Sequence, residues 1–504
     1  MAEQICCVCV ENARPGIKII NGRWFCDEHY TKATYKRSGV WRSGAVAVVG
    51  LLIFVAAVVA LDTFLQPDLT GTVLLLTGVG LAIIPAALWL LFFYQQDRLE
   101  PEPVGQVARM FVIGLALAGA IGIPVTDQLF RVQEWLYRDD LTTLLGSIFV
   151  VGAVEAFIIF ATVRYFIFDS VEFDERTDGV IYATAAGLGY ATALNLQFIL
   201  ANGGAALGTG EIFVAEVALA QAAFGGLLGY FLGRAKLERE PVWWLSAALV
   251  LTAVLNGLFN VLRGQFDSGT ITLGAQADGL PFFTGLLLAG GLAVVVTLIV
   301  SFLINRDIAR SLSNQQSAAT DDPTVGDRQA NYAVIGSFVI LLLIGGLIWN
   351  NAVNRTQAFD QGGFKGIYPA YYSDWTEAGE ALHVTDALGT GAEFVVVTVP
   401  VEEGQAADAE GIANQLAAER STDYQVYKVM SQGTTMLKGK AALTQQFAYV
   451  ESNGLTGAAP EVRQGLDYIF AEGNRVIVVT LLTTPEDLAS VEPLFARFLN
   501  SLSF

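Results

Sequence analysis

Nine long apolar runs separated by short polar stretches dominate the first 353 residues of this chain. They fall at about 44–65, 73–94, 107–127, 143–168, 178–201, 211–233, 242–262, 280–304 and 332–353. Each is near the ~20 residues a helix needs to cross the hydrocarbon core of a bilayer. A soluble core has no need of runs this long, so the pattern predicts an all-α polytopic membrane bundle of about nine transmembrane helices. After residue 354 the pattern changes. EALHVTDA, EFVVVTVP, YQVYKVM, LTQQFAYVES, LDYIFAEG and RVIVVTLLT read as strands, and the stretches near 404–420 and 485–500 read as helices. Strands in antiparallel hairpins with two helices predict an α+β soluble domain. The polar, Ser/Asp-rich stretch 305–331 reads as a flexible linker. The expected organisation is a small module at 1–40, a core of eight spans at 44–304, the linker 305–331, a ninth span at 332–353 and the α+β domain at 355–504.

Composition agrees with this division. The chain is 53% hydrophobic and 15% charged, with a mean hydropathy of +0.50, far from an ordinary soluble protein. The first apolar run begins behind a cysteine-bearing segment, unlike a cleaved secretory signal. Lys and Arg sort onto alternate loops. One set of flanks holds Lys32, Lys36, Arg37, Arg42, Arg98, Arg109, Arg164, Arg176, Arg234, Lys236, Arg239, Arg306, Arg310 and Arg328, and the other only Arg131, Arg138 and Arg263. The positive-inside rule then places the N-terminus in the cytoplasm and, after nine spans, the last domain outside a cell membrane. The net charge of −19 argues against nucleic acid as a partner; the bilayer itself is one, and a protein in or at the membrane is expected as another.

All four cysteines lie in the first 26 residues: Cys6, Cys7, Cys9 and Cys26. With His29 they form Cys6-x2-Cys9, a 16-residue gap and Cys26-x2-His29. Two such knuckles can set three thiolates and one imidazole tetrahedrally about zinc, as a closed structural site. The gap has turn residues around short apolar strands, as in a zinc ribbon or B-box-like finger. Cys7 is the spare, because one residue of separation from Cys9 is poor for joint chelation. The competing readings are a reduced tail with unrelated cysteines, or a redox pair. A segment of ~35 residues has too little core to fold alone, so metal would supply its stability. Modules of this kind usually bind another protein.

The chemistry of the membrane core rests on scattered motifs. A turn, 97–103, has two prolines that stop a helix. Another polar turn, 173–179, leads into a span dense in small residues, and Gly225, Gly229 and Gly233 repeat every four residues in the next. Small residues at this spacing let helix backbones approach. Glu155 stands in an apolar run, where an ionised carboxylate is costly and must be protonated or hydrogen-bonded.

In order and spacing, these segments resemble the PrsW family of intramembrane metalloproteases over about a third of the chain. The 97–103 turn, Glu155, Asp178, Gly179, Tyr182, Gly187, Gly189, Ala191, Asn195, Phe224, Gly229, Tyr230, Gly233, Gly257 and Asn260 match its motifs. The departures fall on the family's catalytic letters: Ala156 replaces a Glu, Ile159 a Lys, Leu194 a Glu, and Gln221 and Asn256 the two histidines. A catalytic zinc takes three protein ligands, mainly His and carboxylate, and leaves one position for water that a nearby Glu deprotonates. Glu155 by itself cannot build that site. The resemblance therefore implies the family fold with a degenerate site of Glu155, Asn195, Gln221 and Asn256, and no catalytic metal. Those four residues read either as a ligand- or peptide-binding cavity or as helix-to-helix hydrogen bonding. The expected function is a binding or regulatory scaffold; the alternatives are a working metalloprotease with altered ligands centred on Glu155, and a transporter or channel. The last helix and its SLSF ending resemble PsbP/Mog1-like domains.

Overall fold

A computed structural model of the chain describes residues 5–9, 18–34, 40–65, 71–96, 103–136, 140–201, 207–267, 281–313, 323–386, 390–401, 407–424, 426–451 and 461–504. They form two compact units, Met1–Phe130 with Thr143–Leu347, and Arg131–Thr142 with Ile348–Phe504.

The first unit opens with a two-stranded hairpin, β1 (Lys18–Ile20) and β2 (Arg23–Phe25), followed by α1 (Asp27–Thr34). Asn21 and Gly22 turn the hairpin with φ of 40° and 84°, the left-handed geometry that an Asn-Gly pair tolerates. Next come α2 (Val40–Leu65), α3 (Gly71–Gln96) and α4 (Val104–Leu117), the last continuing through π-helical turns at Ala118–Gly122 and Pro124–Leu129. The fourth apolar run is α6 (Asp140–Gly146), a π-helical Ser147–Gly152 and α7 (Ala153–Phe166). It is followed by α8 (Arg176–Ala201), α9 (Leu207–Leu237), α10 (Trp244–Asp267), α11 (Pro281–Ser313) and α12 (Pro323–Asn354).

Eight helices among the described residues are long and apolar enough to cross a membrane. The one expected span not among those eight, at 178–201, is α8, whose Gly, Ala, Thr and Tyr content leaves it less apolar than the rest. Its position explains that composition: all but one of the residues from Arg176 to Ala193 are buried. A helix walled in by protein needs closeness more than lipid affinity. A Cβ on Gly179 would run into the backbone of Gly229, and one on Gly187 would approach the Gln221 carbonyl oxygen to 2.6 Å. On the other side Gly114 and Gly189 bring α4 and α8 into similar backbone contact. The stretch 305–331 is not irregular throughout, because α11 runs on to Ser313 and α12 starts at Pro323; residues 314–322 lie outside the described residues. The reason is packing: Asp307 on the α11 extension is buried and accepts a hydrogen bond from the Tyr230 hydroxyl at 2.7 Å.

In the second unit a hairpin, β3 (Thr356–Gln361) and β4 (Phe364–Pro369), precedes a seven-stranded antiparallel sheet. Its strands are β5 (Ser373–Asp374), β6 (Glu380–Thr385), β7 (Glu393–Pro400), β8 (Tyr427–Leu437), β9 (Lys440–Glu451), β10 (Glu461–Glu472) and β11 (Arg475–Thr483), in the order β5-β6-β7-β11-β10-β9-β8. Strand alternation sends Phe470, Ile477 and Val479 to one face with Phe495 and Phe498 of α14 (Leu488–Ser501). Ile469, Val476 and Val478 go to the other face, with Ala413 of α13 (Ala409–Asp423). The short α5 (Val132–Trp135) belongs to this unit, with Trp135 fully buried. The expected strands and both helices are present, and β3–β4 is an additional hairpin whose Gly362-Gly363 turn, with φ of 59° and 81°, is its signal in the sequence.

Candidate metal centre and the intramembrane polar site

The hairpin and α1 bring Cys6, Cys9, Cys26 and His29 together, with all four potential ligand atoms within 4.8 Å of one another. His29 Nδ1 lies 3.0 Å from Cys26 Sγ and 3.7 Å from Cys6 Sγ. A tetrahedron with metal–ligand bonds of about 2.0–2.3 Å has edges of roughly 3.3–3.8 Å, so small side-chain rotations close this group around an ion. Burial raises the Cys6 thiol, yet the hydrogen bond with His29 and those with nearby backbone outweigh it and bring its pKa below the ordinary value. His29 is raised, chiefly by Cys6, against the cost of burial. Cys7 is different: burial pushes it up to about 12, so it stays a thiol.

The module rests on polar ends of the core helices. Arg23 donates to the Ala235 carbonyl at 2.9 Å and to the Glu238 carbonyl at 3.1 Å, while Asn21 donates to Glu238 Oε2 at 3.0 Å. Arg176 donates to the Ala33 carbonyl at 2.6 Å, and Lys32 to Asp174 at 2.9 Å. Leu237 completes the apolar core made by Cys6, Val8, Ile20, Phe25 and Ala33. Asp178 accepts the backbone N–H groups of Asp174 and Glu175 at 2.8 and 2.6 Å, which ties down the start of α8.

Within the bundle, Glu155 is buried near the start of α7. Its Oε2 accepts from Gln221 Nε2 on α9 at 2.5 Å and from Asn256 Nδ2 on α10, whose Oδ1 in turn accepts from Asn260 at 3.0 Å. Gly152 allows this meeting, since a Cβ there would stand 2.8 Å from the Ala253 carbonyl oxygen. Asn195 is not part of the group: its amide donates to the Val214 carbonyl at 3.2 Å. Ala156 and Ile159 are buried, Leu194 is half-buried, and none of the three carries a ligand atom. The turn 97–102 lies outside the described residues.

This donor set does not fit a catalytic zinc. An amide beside a carboxylate turns its N–H toward it, so Gln221 and Asn256 present hydrogen-bond donors, not lone pairs, where two imidazoles would coordinate. Further acids stand inside the apolar runs, and an acid in such a run is itself the signal of a buried polar site. Glu216 pairs with Arg263 at 2.7 Å, Asp127 accepts from Gln197 at 2.5 Å, and buried Glu211 has no hydrogen-bond partner among the described residues.

The fold and these sites define a multi-pass helical membrane protein with a buried carboxylate–amide cluster and an appended Cys/His module. A family model described as PrsW family intramembrane metalloprotease matches residues 102–302. Protease PrsW of Halalkalibacterium halodurans is 31% identical over 183 residues, which are 36% of this chain and 80% of that protein. Protease PrsW of Bacillus subtilis is 26% identical, over 36% of this chain and 81% of its own length. The chain belongs to the PrsW family. Among solved structures, cyanobacterial PsbP from Synechocystis is 14% identical with a TM-score of 0.24, over 29% of this chain and 91% of its own. The Ran-binding protein Mog1p of Saccharomyces cerevisiae is 12% identical with a TM-score of 0.22, over 30% of this chain and 95% of its own.

Proposed function

We propose that this PrsW-family protein no longer hydrolyses peptide bonds and acts in the cell membrane as a binding or regulatory scaffold. One observation carries the reading: Glu155 Oε2 is occupied by the amides of Gln221 and Asn256, which stand where the family resemblance places histidines. A neutral amide pair holds a carboxylate in place but supplies neither the metal ligands nor the polarised water that hydrolysis requires. The Cys6, Cys9, Cys26 and His29 group is the zinc site, and its role is structural. The N-terminal module faces the cytoplasm and the tail faces outward. The Lys/Arg pattern supports this arrangement, because it crowds positive charge onto the loops that share the N-terminal side.

The test is cleavage of single-span substrate proteins by purified protein in lipid, with and without chelator, beside Glu155→Gln. That substitution keeps shape and hydrogen-bonding capacity and removes the charge. No metal-dependent cleavage is expected from either protein. Cleavage by the wild type that disappears both on chelation and in Glu155→Gln would instead identify a metalloprotease with altered ligands.

A further inference from the structure

We propose that the N-terminal module is a metal-dependent clamp on the cytoplasmic ends of α8 and α9, in which the core residue Asp174 positions the metal ligand His29. The proposal rests on the zinc reading above and goes beyond it, because it names the module's partner as the chain's own core.

Two sets of contacts meet at the module. The ligand set comes from both of its halves: Cys6 and Cys9 from the first knuckle, Cys26 and His29 from the start of α1. The docking set comes from the same short elements. Asn21 and Arg23 in the hairpin reach the end of α9, and the Ala33 carbonyl at the end of α1 receives Arg176 from the start of α8. The backbone joins in as well, with the Arg239 N–H donating to the Asn21 carbonyl at 3.1 Å. Arg23 and Arg176 converge on opposite atoms of one residue, since Arg23 binds the Glu238 carbonyl while Arg176 binds its carboxylate. These contacts need the hairpin and α1 held at a fixed mutual angle. The apolar core of so small a module is thin, so a shared ion is what fixes that angle.

Asp174 links the two sets. With His29 Nδ1 directed at the thiolates, its Nε2 faces outward and lies 3.9 Å from Asp174 Oδ2. The same oxygen accepts from Lys32 one turn further along α1. Asp174 is itself anchored, because its backbone N–H is bound by Asp178. A carboxylate behind a metal-bound imidazole sets the ring's tautomer and orientation, and its loss typically lowers metal affinity about 10–100-fold. Here the carboxylate comes from the core rather than from the module. Docking therefore strengthens the site, and metal strengthens docking, by the reciprocity that links any two coupled binding events.

The test uses the full-length protein with a site-specific protease sequence inserted between Thr34 and Val40 and an affinity tag at the C-terminus. After cleavage in zinc, the freed module is expected to stay with the tagged core, and to leave it when a strong chelator is added. Arg176→Ala is expected to release the module even in zinc. Asp174→Ala should lower zinc affinity about 10-fold or more in competition with a chromogenic chelator, and Asp174→Asn, which keeps an oxygen facing the ring but not the charge, should recover part of the loss. Zinc bound while the module falls away would overturn the clamp and leave the metal site standing. A module that stays after chelation would overturn the metal dependence. Absence of zinc from the intact protein would sink the metal reading itself. An Asp174→Ala protein with unchanged zinc affinity would remove Asp174 from the role of positioning residue.

Discussion

Arg176 and Glu238 form a buried ion pair at the point where α8 begins and α9 has just ended, with guanidinium–carboxylate distances of 2.9 and 3.0 Å. Both side chains are at most 5% exposed. Removing one partner from such a pair strands a charge at a cost of about 3–5 kcal/mol, whereas replacing both with apolar groups of similar size is often neutral. Glu238→Ala should therefore lower the thermal unfolding midpoint in detergent sharply, and the double change Arg176→Met with Glu238→Leu should recover part of it, the rest reflecting the Asn21, Arg234 and Ala33 carbonyl contacts that the pair also makes. Equal losses in the single and double variants would show that the pair is not what holds this corner.

The α8–α9 seam depends on having no side chain at Gly179. A methyl there meets the backbone of Gly229 and Gly233, which cannot rotate away. Gly179→Ala should cost about 1–3 kcal/mol through forced separation of the helices. Gly226→Ala, on the same seam but with only a side-chain oxygen and a methyl at 3.5–3.9 Å, should cost far less. The check is the folded, monodisperse yield of each variant after heating.

Zinc content should follow the module alone. Cys6→Ala or Cys26→Ala is expected to remove the metal measured by atomic emission while the helical bundle stays folded, and Cys7→Ala should leave it in place because its sulfur is not among the four ligand atoms that come together. A chain lacking residues 1–40 that still carried zinc would move the metal into the membrane core and revive the catalytic alternative.

His383 in β6 gives the tail a pH dependence. Its Nε2 lies 3.0 Å from Glu393 Oε2, and this hydrogen bond, aided by Glu380 and opposed by burial, raises the imidazole pKa above its ordinary value. A group whose folded pKa is raised stabilises fully below its unfolded pKa, about 6.5, and loses that contribution as pH climbs through the folded value. Hydrogen exchange of the β6–β7 amides, corrected for intrinsic rates, should therefore show less protection above that window than below it. His383→Gln should flatten the dependence; an unchanged slope in that variant would assign it to other groups.

Topology can be read with a membrane-impermeant thiol reagent on intact cells. A cysteine introduced at Gln432, exposed in no apolar span, should be labelled, while the native cysteines should not. Labelling of the N-terminal cysteines from outside would invert the orientation drawn from the Lys/Arg pattern.

Much of this protein is written locally. Apolar runs of helical length mark the spans because a bilayer demands about 20 such residues, whatever the neighbours are. Paired ligands two residues apart mark the Cys/His group, and period-two alternation marks the strands, because both depend on residues close in sequence. The same local logic missed β3–β4, where the hairpin was hidden behind the end of the last helix, and made 305–331 look irregular, since nothing in its own sequence shows that Asp307 is buried against Tyr230. What the tertiary structure decided are meetings between distant segments. Gln221 and Asn256 reach Glu155 where Gly152, just before α7, lets α10 come close and Gly187 lets α8 approach α9, while Asn195, equally apt by sequence, turns to the Val214 carbonyl. The module's seat on Arg176, Asp174 and Glu238 is of the same kind. Each is a choice among polar partners inside a low-dielectric interior, and only packing settles which donor lies within reach of which acceptor.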